Sequence, residues 1–253
     1  MNQHTSNTYE FLKTSNLETV EATLNYRFKD KRLLQTALTH RSYLNEKDKD
    51  EHISEHYERL EFLGDAVLEL IVSDYLYREL EETEGKMTKL RSSLVRDKNT
   101  GRVGQKLGLQ YEILLSRGER EELGIARASI VADVLEAILG AMYLDGGIEP
   151  CTEFVEAHIL TLLPSIIAAQ SYNDFKTLMQ EFTQKHTKIT PRYKVISTDG
   201  KDHAKLYTCG VWVEQEKIAE GVGRSKQIAE TEAAKTGLAI MQARFKAEEE
   251  LAA

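Results

Sequence analysis

The chain has 253 residues, 41% of them hydrophobic and 29% charged, enough for one large domain or two modest ones with real cores. This is globular composition, and the two cysteines, Cys151 and Cys209, lie far apart without metal-site spacing, which fits a reduced, cytoplasmic setting. The net charge of −8 counts against a generally basic nucleic-acid binder, no apolar run approaches the roughly 20 residues of a bilayer span, and the polar start MNQHTSNTYE lacks a signal-peptide layout.

Residues 1–16 read as a disordered tail. From Leu17 onward, apolar residues recur at three- and four-residue intervals in KRLLQTALTH, ERLEFLGDAVLELIVSDYLYREL, MTKLRSSLVRDKNT and ASIVADVLEAILGAMYLDGG. This periodicity predicts an all-α domain over residues 17–165, with Gly146-Gly147 stopping the last of these helices. Residues 166–173 read as a linker. The texture then changes. DFKTLMQEFTQK is an amphipathic helix; RYKVIS, KLYTCGVWV and KIAEGVG are strand candidates around the turn DGKDH; RSKQIAETEAAKTGLAIMQARF is a long Ala-rich helix. Residues 174–243 therefore read as a small α+β unit of order α-β-β-β-α, and residues 244–253 as a frayed tail. From Asp174 to Gln242 there are 11 Lys/Arg and 9 Asp/Glu, a balance of +2, which leaves −10 for the rest. An acidic front and a mildly basic back predict two units with different jobs.

Within HYERLEFLGDAVLEL, residues 56–70, Glu58, Glu61 and Asp65 share one helix face. Taken alone, that stripe has a bland reading as a solvated surface. A second segment weighs against it. In ASIVADVLEAILGAMYL, residues 128–144, Asp133 and Glu136 are the only charged residues on a helix that is apolar nearly all round. Ionised carboxylates in such a helix are costly unless paired or bound to a metal. Two helices offering Glu61, Asp65, Asp133 and Glu136 can meet around one cation. Hard oxygen donors without His or Cys favour Mg²⁺, with Mn²⁺ as a substitute. Neutralisation by Arg59 or Arg91 in buried salt bridges is the other reading. A di-iron bundle is disfavoured, because Gly64 and Leu139 stand where its Glu-x-x-His pairs need histidine. Glu84 reads alone as a helix N-terminal acid, and His40 as a structural histidine.

These segments resemble the ribonuclease III family. YERLEFLGDAVLEL matches its signature, and LTHRSY, EGKMTKLRSSLV, LLSRGE and ADVLEAILGAMYLDGG follow in the family's order. DFKTLMQEFTQ through GVGRSKQIAETEAAKTGL resembles a double-stranded-RNA-binding domain. The resemblance implies an all-α endonuclease domain followed by a small α-β-β-β-α RNA-binding domain. It implies Mg²⁺ held by Glu61, Asp65, Asp133 and Glu136, with Asp65 and Glu136 catalytic and Glu58 and Glu84 as auxiliary acids at the cleavage site. It implies hydrolysis of double-stranded RNA to 5′-phosphate and 3′-hydroxyl ends with a short 3′ overhang, in the processing of ribosomal and other structured transcripts. A homodimer is implied, one acid cluster per strand, with Phe62, Leu63 and Ala66 available either for the shared surface or for core packing. Neither a membrane nor an organic cofactor is expected.

In the RNA-binding half the resemblance assigns Thr177, Gln180, Glu181 and Gln184 to one minor groove and His203 to the next. Arg224, Lys226 and Gln227, with the helix N-terminus, face the phosphates between. The chain departs from the family pattern where Lys201 replaces a proline, where Gln227 replaces a basic residue, and where the loop REELGIARAS lacks the usual Gly-Gly-Arg. Gln227 removes one phosphate contact and predicts weaker, less salt-dependent binding. Two further readings remain at this point: a non-cleaving duplex-RNA scaffold, and an acidic helical interaction protein.

Overall fold

The fold comes from a computed structural model, which describes residues 15–46, 50, 52–120, 125–170, 172, 174–201 and 204–252. The tail expected over residues 1–16 lies outside the described residues as far as residue 14, and its last two residues are not tail but the start of a helix that opens at Ser15. The groove residue His203 also lies outside the described residues. The chain divides into two compact units, Met1–Tyr172 and Asn173–Ala253.

The first unit is helical. Helices α1 (Ser15–Leu24) and α2 (Lys31–Ala37) lead to a 3-10 turn at Arg41–Asn45. Then come α3 (Glu58–Glu79), α4 (Glu84–Leu94), α5 (Asp97–Lys106), α6 (Ala128–Gly146), α7 (Ile148–His158) and α8 (Leu163–Ala169). Helix α6 is the centre of this unit because it is apolar nearly all round: Ile130, Val131, Val134, Leu135, Ile138, Leu139 and Met142 are all buried. Each such side chain contributes about 1.5–3 kcal/mol by leaving water. Against α6 lie α3 and α5, and both contacts are made through glycine. A Cβ on Gly64 of α3 would meet the backbone of Glu136 and Gly140, and one on Gly101 of α5 would meet the carbonyl of Ala128 at 2.7 Å. The helices therefore touch backbone to backbone.

Not every apolar residue of α3 turns inward. Leu60, Val67, Leu68, Ile71 and Val72 are core residues, whereas Phe62, Leu70 and Tyr77 are 83%, 61% and 76% exposed. Two expectations need correction. Residues 166–169 are not linker but the end of α8, where Ile166 is buried and Gln170, at φ 52°, closes the helix. Nor is the chain without a segment long enough for a bilayer: the 22 residues Ile148–Ala169 qualify by length and composition. Here it folds as α7, a 3-10 turn at Leu160–Leu162 and α8, and Cys151, Phe154, Val155, Ile159, Leu160 and Leu163 join the core.

In the second unit α9 (Phe175–Thr187) is N-capped by Asp174, which accepts from the amides of Lys176 and Thr177. An antiparallel sheet follows in the order β1 (Arg192–Asp199), β2 (Leu206–Val213), β3 (Glu216–Gly223), and then α10 (Lys226–Ala252). Cys209, Val211 and Val213 of β2 are buried, as their alternation predicts, and Tyr207 is partly so. Small residues let α10 lie close on the sheet; a Cβ on Gly221 would stand 2.2 Å from the amide of Ala233. The frayed tail expected over 244–253 is instead helical through Ala252. Phe245 packs edge-on against Phe182 at 5.6 Å and against His186 at 4.7 Å, and Arg244 pairs with Glu216 at 2.7 Å. Those contacts continue the helix past the point where its sequence turns polar.

Candidate active site

The close approach of α3 and α6 decides the site. Gly64 sits between Glu61 and Asp65 in sequence, and its Cα faces the backbone of Glu136. The acids flanking Gly64 are thereby brought beside Asp133 and Glu136. Their mutual repulsion shows in their acidities. Burial, then the charges of Asp65, Glu61 and Asp133, push the Glu136 carboxyl up to about 8. Burial, then Asp133, Glu58 and Asp65, raise Glu61. Asp133 is also raised by burial, opposed by a hydrogen bond from the hydroxyl of Tyr57 to its Oδ2 at 3.1 Å.

Among the described residues no lysine or arginine pairs with these four acids. Arg91 donates to the hydroxyl of Ser73 at 2.9 Å, and Arg59 is exposed, so the salt-bridge reading does not hold. Nor do three His, Cys, Asp or Glu side chains among the described residues form a closed metal cage. The arrangement is an open set of oxygen donors that repel one another. A hard divalent cation fits such a set by donor chemistry and by relieving the repulsion.

Glu58 lies at the edge, contributing its charge to Glu61 and pairing with Arg41 at 3.4 Å. Glu84 is elsewhere: exposed in the first turn of α4, it accepts from the hydroxyl of Thr88 at 2.9 Å and is not among the charges that raise Glu61, Asp133 or Glu136. His40 caps the 3-10 turn at Arg41–Asn45, its Nδ1 2.8 Å from the hydroxyl of Ser42, and burial lowers its basicity.

Two residues join the site without having been anticipated. Asp97, exposed in the first turn of α5, adds its charge to Glu61, Asp133 and Glu136. Alone it reads as one more acid at a helix start; only the seating of Gly101 against α6 carries it to the cluster. Tyr57 is a buried aromatic just before α3, and nothing in its neighbours' spacing announces a bond to a residue 76 positions later.

In the second unit Thr177, Gln180, Glu181 and Gln184 are exposed on α9, opposite the buried Phe175, Met179 and Thr183. The hydroxyl of Thr177 donates to Asp174 Oδ2 at 2.9 Å, so towards a ligand it can only accept. Arg224, Lys226 and Gln227 are exposed at the start of α10.

Comparison with known proteins gives two family matches. A model described as Ribonuclease-III-like matches residues 30–163, and one described as Double-stranded RNA binding motif matches residues 175–241. A "Ribonuclease 3" of a Nitratiruptor species is 41% identical over 229 residues, 90% of this chain and 98% of that protein. A "Ribonuclease 3" of Streptococcus equi subsp. zooepidemicus is 42% identical over 223 residues, 87% of this chain and 95% of that protein. Among solved structures, the nuclease domain of ribonuclease III from Campylobacter jejuni superposes with a TM-score of 0.52 at 41% identity, covering 58% of this chain and 99% of that domain.

Proposed function

This chain belongs to the ribonuclease III family and is an endoribonuclease acting on double-stranded RNA, and from that premise we propose that it is an Mg²⁺-dependent enzyme whose cation is held by Glu61, Asp65, Asp133 and Glu136. The observation that carries this reading is the meeting of four carboxylates from α3 and α6 with no lysine or arginine partner among the described residues, with Glu136 pushed up to about 8. Mn²⁺, with the same oxygen preference, would substitute.

Bound there, the cation supplies Lewis-acid stabilisation of negative charge developing on the phosphate and the leaving oxygen. The chain's own residues do the rest. The buried body of α6 holds Asp133 and Glu136 on a rigid element. Asp65 and Glu136, the first of which adds its charge to the second across the helix contact, are assigned the catalytic roles, with Glu58 as an auxiliary acid. Glu84 is retained as an auxiliary only from the family resemblance. The reaction adds water across a phosphodiester: the P–O3′ bond breaks, hydroxide oxygen joins phosphorus to leave a 5′-phosphate, and the proton ends on the 3′ oxygen.

Duplex RNA is recognised by shape across two minor grooves and the phosphates between them. Thr177, Gln180, Glu181 and Gln184 are assigned to the first groove, His203 to the second, and Arg224, Lys226 and Gln227 to the phosphates. The enzyme acts as a homodimer. Phe62 and Ala66 are exposed along α3 with Leu70 and Tyr77, whereas Leu63 packs partly against the core, so Phe62 and Ala66 are the shared-surface residues. The similar nuclease domain from Campylobacter jejuni has a region involved in dimer formation, which supports this reading. Two acid clusters in a dimer would cut both strands and leave a short 3′ overhang. Ribosomal and other structured precursors in the cytoplasm are the proposed substrates.

The test is cleavage of an end-labelled perfect RNA duplex in Mg²⁺ and in EDTA, beside a single-stranded control. Cutting confined to the duplex with Mg²⁺ supports the reading. Equal cutting in EDTA would overturn the metal assignment, and binding without cutting would leave the acid cluster idle.

A further inference from the structure

We propose that Tyr57 is a positioning residue that orients Asp133 for the cation, an inference that rests on the metal reading above. Nothing about its type or place in the chain marks it as functional. Its surroundings do. Tyr57 is 4% exposed and is fixed at three points besides its hydroxyl. Its amide donates to the carbonyl of Thr39 at 3.0 Å, and its own carbonyl accepts from the amides of Leu60 and Glu61 at 2.8 and 2.9 Å. Its ring lies 5.6 Å from that of His40, which is held in turn by the hydroxyl of Ser42 and by a hydrogen bond from its own backbone amide to the carbonyl of Leu114.

With backbone and ring fixed, the hydroxyl has little freedom. It donates to Oδ2 of Asp133, across from α3 to α6. A tyrosine hydroxyl has one proton to give, so it engages one carboxylate oxygen and leaves Oδ1 for other partners. Tyr57 therefore does two things at once. Its carbonyl starts the helical turn that carries Glu61, and its hydroxyl sets the rotamer of Asp133. The two helices that carry the acids are tied at this one side chain. A hydrogen bond from outside the ligand set that fixes a ligand carboxylate typically changes metal affinity or activity by about 10–100-fold.

A tyrosine that merely fills the core would keep the same ring contacts, so the hydroxyl alone is tested. The full chain is compared with its Tyr57→Phe, Asp133→Asn and doubly substituted forms. Mn²⁺ binding is read from the free-ion electron paramagnetic resonance signal, without RNA. Melting is followed without metal, and duplex cleavage across Mg²⁺ concentration. The expected result is Mn²⁺ binding about 10-fold weaker in Tyr57→Phe, with a matching rise in the Mg²⁺ needed for half-maximal cleavage and recovery at saturating Mg²⁺. In the Asp133→Asn background, Tyr57→Phe should then change nothing further.

Wild-type Mn²⁺ affinity in Tyr57→Phe, alongside a loss in Asp133→Asn, overturns the proposal and leaves the metal reading standing. A loss of melting temperature and of Mn²⁺ binding that recurs equally in the Asp133→Asn background shows a role in the fold alone, and also overturns it. Wild-type affinity in Asp133→Asn overturns the metal reading, and the proposal with it.

Discussion

A Cβ added to Gly64 would stand 1.7 Å from the carbonyl oxygen of Glu136, inside any possible contact distance. The glycine between two acids of α3 thus lies flat against a third acid's backbone on α6. Gly64→Ala must push the helices apart or break the turn. Overpacking of this kind costs ~3 kcal/mol, which for a unit of this size lowers the melting temperature by about 6–12 °C. Calorimetry on the full chain measures it. Activity should fall further than stability, because the separation falls at the acid cluster.

Glu136→Gln separates function from folding. It keeps shape and removes a charge that burial and four neighbouring carboxylates oppose. Cleavage of duplex RNA should drop by roughly 10³-fold, the equivalent of several kcal/mol of lost transition-state stabilisation. Duplex binding should persist, and the metal-free melting temperature should hold or rise. A variant that cuts at the wild-type rate would remove Glu136 from the mechanism.

The same repulsion sets a pH dependence. Glu136 titrates near 8 when folded and near the ordinary glutamate value when unfolded. Between those values the folded state binds more protons, so metal-free stability falls as pH rises from about 4.5 to about 8 and then levels. Glu61 and Asp133 are raised too and add in the same direction. Melting curves across that window check the slope. Mg²⁺ should flatten it and release protons on binding at neutral pH, which calorimetry in buffers of different ionisation enthalpy detects.

Gln227 is exposed at the start of α10, next to Lys226. Gln227→Lys should tighten duplex binding at low salt and steepen the log–log salt dependence by about 0.7–0.9, one added phosphate contact. Lys226→Gln should do the reverse. Gel shifts at several salt concentrations distinguish these outcomes from a change in fold, which would leave the slope untouched.

Phe62 is 83% exposed on the helix that carries Glu61 and Asp65. Phe62→Glu should leave the melting of the single chain within about 0.5 kcal/mol of wild type, the usual effect at an exposed position. It should convert the proposed homodimer to monomer in sedimentation. A variant that stays dimeric places the shared surface elsewhere.

The sequence by itself determined the kinds of element and the existence of two acid pairs. Helix and strand periods are local, so α6 and β2 were legible from the spacing of Ile130, Val134 and Ile138, and of Cys209, Val211 and Val213. The burial of α6 followed from its apolar girth, and with it the cost of Asp133 and Glu136. Tertiary structure decided what meets what. Phe62 and Leu63 are adjacent and equally apolar, yet one is exposed and the other packs on the core, because about 100° of helical rotation separates them and only the neighbouring helices define inside. Asp97 reaches the cluster through Gly101, and Tyr57 reaches Asp133 across 76 residues. The last helix outruns its apolar pattern because Phe245 finds Phe182 and His186. Contacts of this kind depend on the relative seating of whole elements, a property of packed surfaces that no local period encodes.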